Sequence, residues 1–203
     1  MLNKKLSVVI LSILFLMGCT HTRVVSFSDP DAVNKLYTKI AVIGDTDDLS
    51  DRLLVEDKMV ETLRDYGVKA VSSLSLLPPT RSFTIAEEDS ILIKNNIQAL
   101  TVIQIADAGF YVTSEPISIH TNSDKDGNQT TISGGGTEQK AYGKLRISLI
   151  DVETGQNMWI GDADAQSFFD TFNHDWDMNY LLRRSSKKLA QELIKTGMIK
   201  TNN

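Results

Sequence analysis

Residues Lys39–Val71 read KIAVIGDTDDLSDRLLVEDKMVETLRDYGVKAV, and this stretch decides the fold. Ile40-Ala41-Val42-Ile43-Gly44 is a short, unbroken apolar run, the pattern of a strand buried on both faces. A helix follows, opening at Ser50 and running to about Tyr66. Leu53, Val55, Met59, Val60, Leu63 and Tyr66 recur at helical spacing and mark its buried side. Gly67 stands where a helix stop is expected, because glycine takes the left-handed conformation that closes a helix at no steric cost. Val68–Val71 is a second short strand.

Downstream, the alternation continues. Pro78-Pro79 interrupts the chain, and Thr84-Ile85-Ala86-Glu87 has the form of a capping box for a second helix to about Asn95. Ala99–Ile105 is a third strand, apolar on both faces and therefore expected at the centre of a sheet. A βαβαβ order implies parallel strands joined by right-handed crossovers. The pattern then changes. Phe110–Ile119 extends the third strand or pairs with a segment further along the chain. In Tyr142–Val152, Leu145, Ile147 and Leu149 face one way, and Lys144, Arg146 and Ser148 the other. Glu153-Thr154-Gly155-Gln156 is a turn, and Asn157–Phe168 returns as an antiparallel strand. Asp175 is placed to cap a last helix with Met178, Leu182, Leu189 and Leu193 on its buried stripe, and small Ser185 and Ser186 between them allow close packing. The expected fold class is α/β (α+β): a βαβαβ unit, an antiparallel hairpin and a C-terminal helix in a single mixed sheet packed by helices.

One internal segment stands apart. His120–Gln139 reads HTNSDKDGNQTTISGGGTEQ and holds almost no core-forming residue. Its composition points to a mobile excursion from the end of a β-hairpin, over residues 120–139. The domain division is then a leader over 1–18, a tether over 19–35, and one domain over 36–203, long enough to bury a real core.

The leader is legible residue by residue. Lys4 and Lys5 form a short cationic start, and Leu6–Met17 is an apolar run of 12 residues interrupted only by Ser7 and Ser12. That is the length of a signal peptide and too short for a membrane-spanning helix of ~20 residues. The run ends in Leu16-Met17-Gly18-Cys19, which resembles the lipobox of bacterial lipoproteins. The resemblance implies cleavage before Cys19 and acylation of its sulfur. Thr20, with no Asp after the cysteine, implies by the same resemblance the periplasmic face of the outer membrane. An ordinary signal peptide beside an incidental cysteine is the alternative. Cys19 is the chain's one cysteine, so no internal disulfide can form. Losing Lys4 and Lys5 lowers the 21 lysines and arginines to 19 against 26 acids, a net of −7 instead of −5. A chain this acidic has no general attraction for nucleic acid or anionic headgroups, so lipid must supply the membrane attachment.

The opening strand KIAVIG and the turn Asp151-Val152-Glu153-Thr154-Gly155 followed by Trp159 resemble a broad group of envelope lipoproteins. That group is related in fold to curli-secretion lipoproteins and to lipoprotein activators of penicillin-binding proteins. The resemblance covers roughly Lys39–Ile199. It implies binding to other envelope proteins or self-assembly, without turnover of a substrate. The motif is also good turn chemistry in itself: Asp and Thr bond their own backbone, and Gly takes a positive φ. Trp159 reads first as a core anchor.

Catalytic chemistry finds one candidate. Asp45 and Asp47 follow the first strand of the βαβ unit, where ligands commonly bind. Asp-x-Asp in that position resembles phosphohydrolases of the haloacid dehalogenase type, in which one Asp attacks phosphorus and both help to hold Mg²⁺. The competing reading is that Asp47, Asp48 and Asp51 favour the positive N-terminus of the first helix, with Asp or Ser50 as cap. Asn122-x-Asp124-x-Asp126-Gly127 imitates half a calcium loop, but Ser133 stands where the bidentate Glu is required, and a polar turn is the better reading. Asp162 and Asp164 share one strand face. His21, His120 and His174 lack a nucleophile's surroundings, with His174 placed in a loop. Gly134-Gly135-Gly136 neither follows a strand nor opens a helix. The reading that results assigns no catalytic residue, metal ligand or cofactor. It is a membrane-anchored binding protein, with a metal-dependent phosphohydrolase using Asp45 and Asp47, or a small-ligand-binding domain, as alternatives.

Overall fold

The computed structural model describes residues 22–114, 118–124, 127–133, 137–166 and 174–202. Eight strands are described: β1 (Thr22–Ser28), β2 (Lys39–Asp45), β3 (Lys69–Ser72), β4 (Ala99–Ser114), β5 (Ser118–Asp124), β6 (Gly127–Ser133), β7 (Thr137–Asp151) and β8 (Asn157–Gln166). Three α-helices accompany them: α1 (Leu49–Asp65), α2 (Ile85–Lys94) and α3 (His174–Lys195). Six strands form one mixed sheet in the order β1-β8-β7-β4-β2-β3, and β5 and β6 pair separately. β2 runs parallel to β3 and β4, while β4–β7, β7–β8 and β8–β1 are antiparallel. The expected fold class is the observed one, and β4 lies inside the sheet as its two apolar faces require.

The helix ends follow local chemistry. Asp48 caps α1, its carboxylate accepting from the backbone N–H of Ser50 and Asp51. At the far end Gly67 takes φ +77°, Val68 N–H bonds the Leu63 carbonyl and Gly67 N–H the Arg64 carbonyl, satisfying carbonyls the helix leaves open. Thr84 and Glu87 form the reciprocal capping box of α2.

Helices α1 and α3 pack on one sheet face. There Val55, Met59 and Leu63 meet Leu182, Leu189 and Leu193 over Ile40, Val42, Ile103, Ile147 and Leu149. α2 sits on the opposite face, where Leu92 and Ile97 bury against Ala41. Ser185 and Ser186 are buried on α3. Trp159, 1% exposed, is a core anchor. Its indole occupies the space above Gly161, two residues along the same strand face. A Cβ built on Gly161 would fall 2.3 Å from the indole. Gly161→Ala is therefore expected to destabilise the domain by about 1–3 kcal/mol, the usual range for an overpacked core. Thermal or urea unfolding measures it, and an unchanged midpoint would contradict this packing.

Several expectations are corrected. Residues 19–35 are not simply a tether: Thr22–Ser28 is edge strand β1, paired with β8 along its whole length, and Pro30–Asn34 is a 3₁₀ helix. The strand carries little periodic signal because only Val24 packs against the core, while Val25 and Phe27 are exposed. β7 begins at Thr137 instead of Tyr142, whereas β4 continues to Ser114 as the reading of Phe110 onward as an extension of the third strand expects. Within 120–139, read as an excursion from the end of a hairpin, parts of β5 and β6 pair as a hairpin of their own. That ladder is made by backbone hydrogen bonds, which any residue type can form, so composition does not announce it. Leu53 is exposed and Glu56 takes a buried place on α1, because apolar periodicity registers hydrophobicity and not the availability of polar partners. α3 starts at His174, so His174 is helical and Asp175 lies inside the helix instead of capping it. Cys19 and His21, and the side chain of Met178, lie outside the described residues.

Candidate functional site

Asp45 ends β2, level with Gln104 of β4, and Gln104 Nε2 donates to its carboxylate at 2.6 Å. Asp47 is exposed in the loop after the strand, and Asp48 is committed to the helix cap. Behind this loop stands a carboxylate that apolar periodicity does not reveal. Glu56, 0% exposed, accepts from Gly44 N–H (3.1 Å), Arg52 Nε (3.0 Å), Ser73 Oγ (2.7 Å), Leu74 N–H (3.1 Å) and Ser72 Oγ. Burial pushes its carboxyl upward, but the donors from Ser72, Ser73, Arg52 and Gly44 outweigh burial and hold it below the ordinary glutamate value. Arg52 also donates to Ser73 Oγ. The network is a saturated clasp that ties the ends of β2 and β3 to α1. Five donors converge on its two oxygens. Among the described residues, no group of three or more His, Cys, Asp or Glu is placed to hold a metal ion.

Asp162 is likewise engaged: Arg146 grips it through Nε at 2.8 Å and Nη2 at 2.9 Å. The Arg146 bond holds the Asp162 carboxyl below its ordinary value, despite partial burial. Asp164, on the same face, is exposed. Asn122 and Asp124 fall on β5 and Gly127 opens β6, so the calcium-like sequence sits at a hairpin end.

A second constellation lies at the opposite end of the sheet. Asp151, the first residue of the Asp-x-x-Thr-Gly turn, accepts from Thr154 N–H (2.9 Å) and Thr154 Oγ1 (3.2 Å), as turn chemistry anticipates. It also accepts from Lys35 Nζ and Tyr37 OH, both at 2.8 Å, across 116 and 114 residues of sequence. Burial raises the Asp151 carboxyl, but Lys35, Tyr37 and Thr154 outweigh it and bring the group down to about 2. Burial pushes the Tyr37 hydroxyl well above the ordinary tyrosine value, reinforced by the bond to Asp151. The group therefore bridges the N-terminal approach to β2 with the β7–β8 turn. Beside it opens a cleft of about 440 Å³ lined by Leu36, Ile93, Val152, Asn96 and Gln98 among others. Leu36 (56%) and Ile93 (67%) are exposed apolar side chains on its rim. A shallow cleft with an apolar rim, amide side chains and one accessible lysine suits binding, and it lacks a nucleophile with an adjacent base. Among the described residues, no helix is long and apolar enough to cross a membrane.

No protein-family model matches the chain. No curated protein matches it either. Solved structures resemble it in outline. PelC of Paraburkholderia phytofirmans, a dodecamer, is 14% identical over 84% of this chain and 98% of that chain, with a TM-score of 0.48. Lipoprotein GNA1162 from Neisseria meningitidis is 11% identical over 78% of this chain and 99% of that one, with a TM-score of 0.44. A minor lipoprotein from Acinetobacter baumannii is 13% identical over 80% of this chain and 93% of that chain, with a TM-score of 0.32. Likenesses this distant say nothing about activity or partners.

Proposed function

We propose that this chain is a bacterial envelope lipoprotein, cut between Gly18 and Cys19 and acylated on Cys19. It is held at the periplasmic face of the outer membrane, and its α/β domain binds other envelope proteins without turning over a substrate. The observation that carries the reading is Leu16-Met17-Gly18-Cys19 at the end of the 12-residue apolar run, with the chain's one cysteine in the acylated position. Binding as the domain's task is supported by the apolar rim of the Asp151 cleft and by the engagement of Asp45, Asp48, Glu56 and Asp162 in structural bonds.

Palmitate labelling in cells tests the anchor. Cys19→Ser is expected to abolish labelling and to leave the leader uncut, and undiminished labelling of that variant overturns the reading. Magnesium-dependent phosphate release from a panel of small esters tests the absence of turnover. Neither the native chain nor Asp45→Asn is expected to release phosphate above background. Robust release that disappears in Asp45→Asn would replace this function with the phosphohydrolase.

A further inference from the structure

Strand β1 leaves almost no leash between the sheet and the anchor. Its first residue, Thr22, is already paired with Ala165, and only Thr20 and His21 separate it from Cys19. Three residues of extended chain span at most ~11 Å. The end of the sheet that carries Thr22 is therefore pinned close to the bilayer.

That same end carries the long antiparallel pair. Ala165 lies level with Gly143, and Gly143 with Ala108. Beyond that level β4 and β7 remain paired as far as Ser114 and Thr137. From Ala108 to Ser114 is six residues, a further ~20 Å at the rise of a strand. The arm thus outreaches the leash by roughly 9 Å. If the strands stood along the bilayer normal, the arm would have to enter the hydrocarbon.

The composition of the arm opposes entry. Strands that cross a bilayer show one continuous apolar face over about ten residues. In the arm itself Phe110, Tyr111 and Val112 of β4 pair with Ala141, Lys140 and Gln139 of β7, an apolar run of three and not of about ten. Beyond it β5 and β6 read SIHTNSD and GNQTTIS, with a single isoleucine each. Between Asp107 and Lys144 there are five acids, Asp107, Glu115, Asp124, Asp126 and Glu138, against Lys125, Lys140 and Lys144. The segment is too polar for the interior and too acidic to be drawn to anionic headgroups.

We propose that the short leash slants the sheet so that the tip of the β4–β7 arm rests on the headgroup surface of the bilayer, while the Asp151 cleft at the other end of the same strands is raised away from the membrane. The proposal rests on acylation of Cys19. The contact follows from tethering and not from charge, so it is expected on zwitterionic lipid.

The acylated full-length protein tests it in phosphatidylcholine vesicles. The sulfur of Cys19 is consumed by the lipid, so Thr113→Cys on β4 and Glu153→Cys in the β7–β8 turn each provide one thiol for a fluorophore. Quenching by lipid carrying a nitroxide on its headgroup is expected to be at least threefold greater at position 113 than at 153. Combining Cys19→Ser with either substitution still leaves one thiol but keeps the leader uncut, so the unanchored control is the same labelled protein released from its lipid by proteolysis, and quenching there should vanish at both positions. Equal quenching at 113 and 153, or stronger quenching at 153, overturns the orientation. Stronger quenching at 113 by a nitroxide deep in the acyl chain than by one on the headgroup also overturns the surface placement, because the arm then inserts. The mass of the N-terminal peptide reports acylation separately. An acylated peptide without quenching at 113 defeats this orientation alone, and a peptide lacking the lipid defeats the anchor.

Discussion

Glu56→Ala is expected to destabilise the domain by about 3–5 kcal/mol, the cost of removing one member of a buried charged pair. The loss has identifiable parts. Gly44 and Leu74 lose the carboxylate oxygens that accept their backbone N–H groups, and Arg52 loses its charged partner. A buried donor left without a partner costs about 1–3 kcal/mol by itself. Glu56→Gln preserves shape and one acceptor oxygen, so it should cost less than the alanine variant while removing the charge. Urea unfolding followed by circular dichroism measures both. A Glu56→Ala protein with the native midpoint would show that the clasp between β2, β3 and α1 contributes nothing.

Asp151→Ala is the second large effect, about 2–4 kcal/mol, because it strands the buried Tyr37 hydroxyl and the Thr154 N–H of the β7–β8 turn, each donor costing about 1–3 kcal/mol. Here pH supplies an independent reading. The carboxyl stands at about 2 in the folded chain against an ordinary 3.8, so folding favours its charged form. The stabilisation is complete above pH ~4 and is lost as pH falls toward about 2, on the order of 2 kcal/mol across that interval. Glu56, also held below its ordinary value, adds loss in the same direction as the solution is acidified. Unfolding free energy measured from pH 6 to pH 2 should therefore fall more steeply for the native protein than for Asp151→Asn. Equal slopes would mean that Asp151 is not held down by its partners. Tyr37→Phe removes one neutral donor and should cost nearer 1 kcal/mol.

Both carboxylates mark how far residues can be read without coordinates. Asp151 is visible as a turn residue, since Thr154 and Gly155 lie close after it and Gly155 takes φ +69°. Its bonds to Lys35 and Tyr37 are not visible, because they join segments more than a hundred residues apart. Glu56 escapes notice for a related reason. A glutamate among apolar positions on a helix reads as a solvent-facing residue unless the serines of another strand are known to lie opposite.

The sequence by itself determined the alternation of strands and helices from Ile40 to Ile105, the cap at Thr84, the stop at Gly67, the turn at Asp151–Gly155 and Trp159 as a core anchor, while the cap of the first helix stayed open between an Asp and Ser50. Each depends on residues within about four positions of one another, through capping bonds, turn bonds or an apolar period that repeats locally. Only the tertiary structure decided that Thr22–Ser28 is an edge strand, that β7 begins at Thr137, and that Glu56 and Asp151 are saturated acceptors. Edge pairing is held by backbone hydrogen bonds, which every residue type can make, so it leaves little trace in composition. A buried carboxylate is tolerated only where distant donors converge on it, and that convergence is set by sheet register and helix placement.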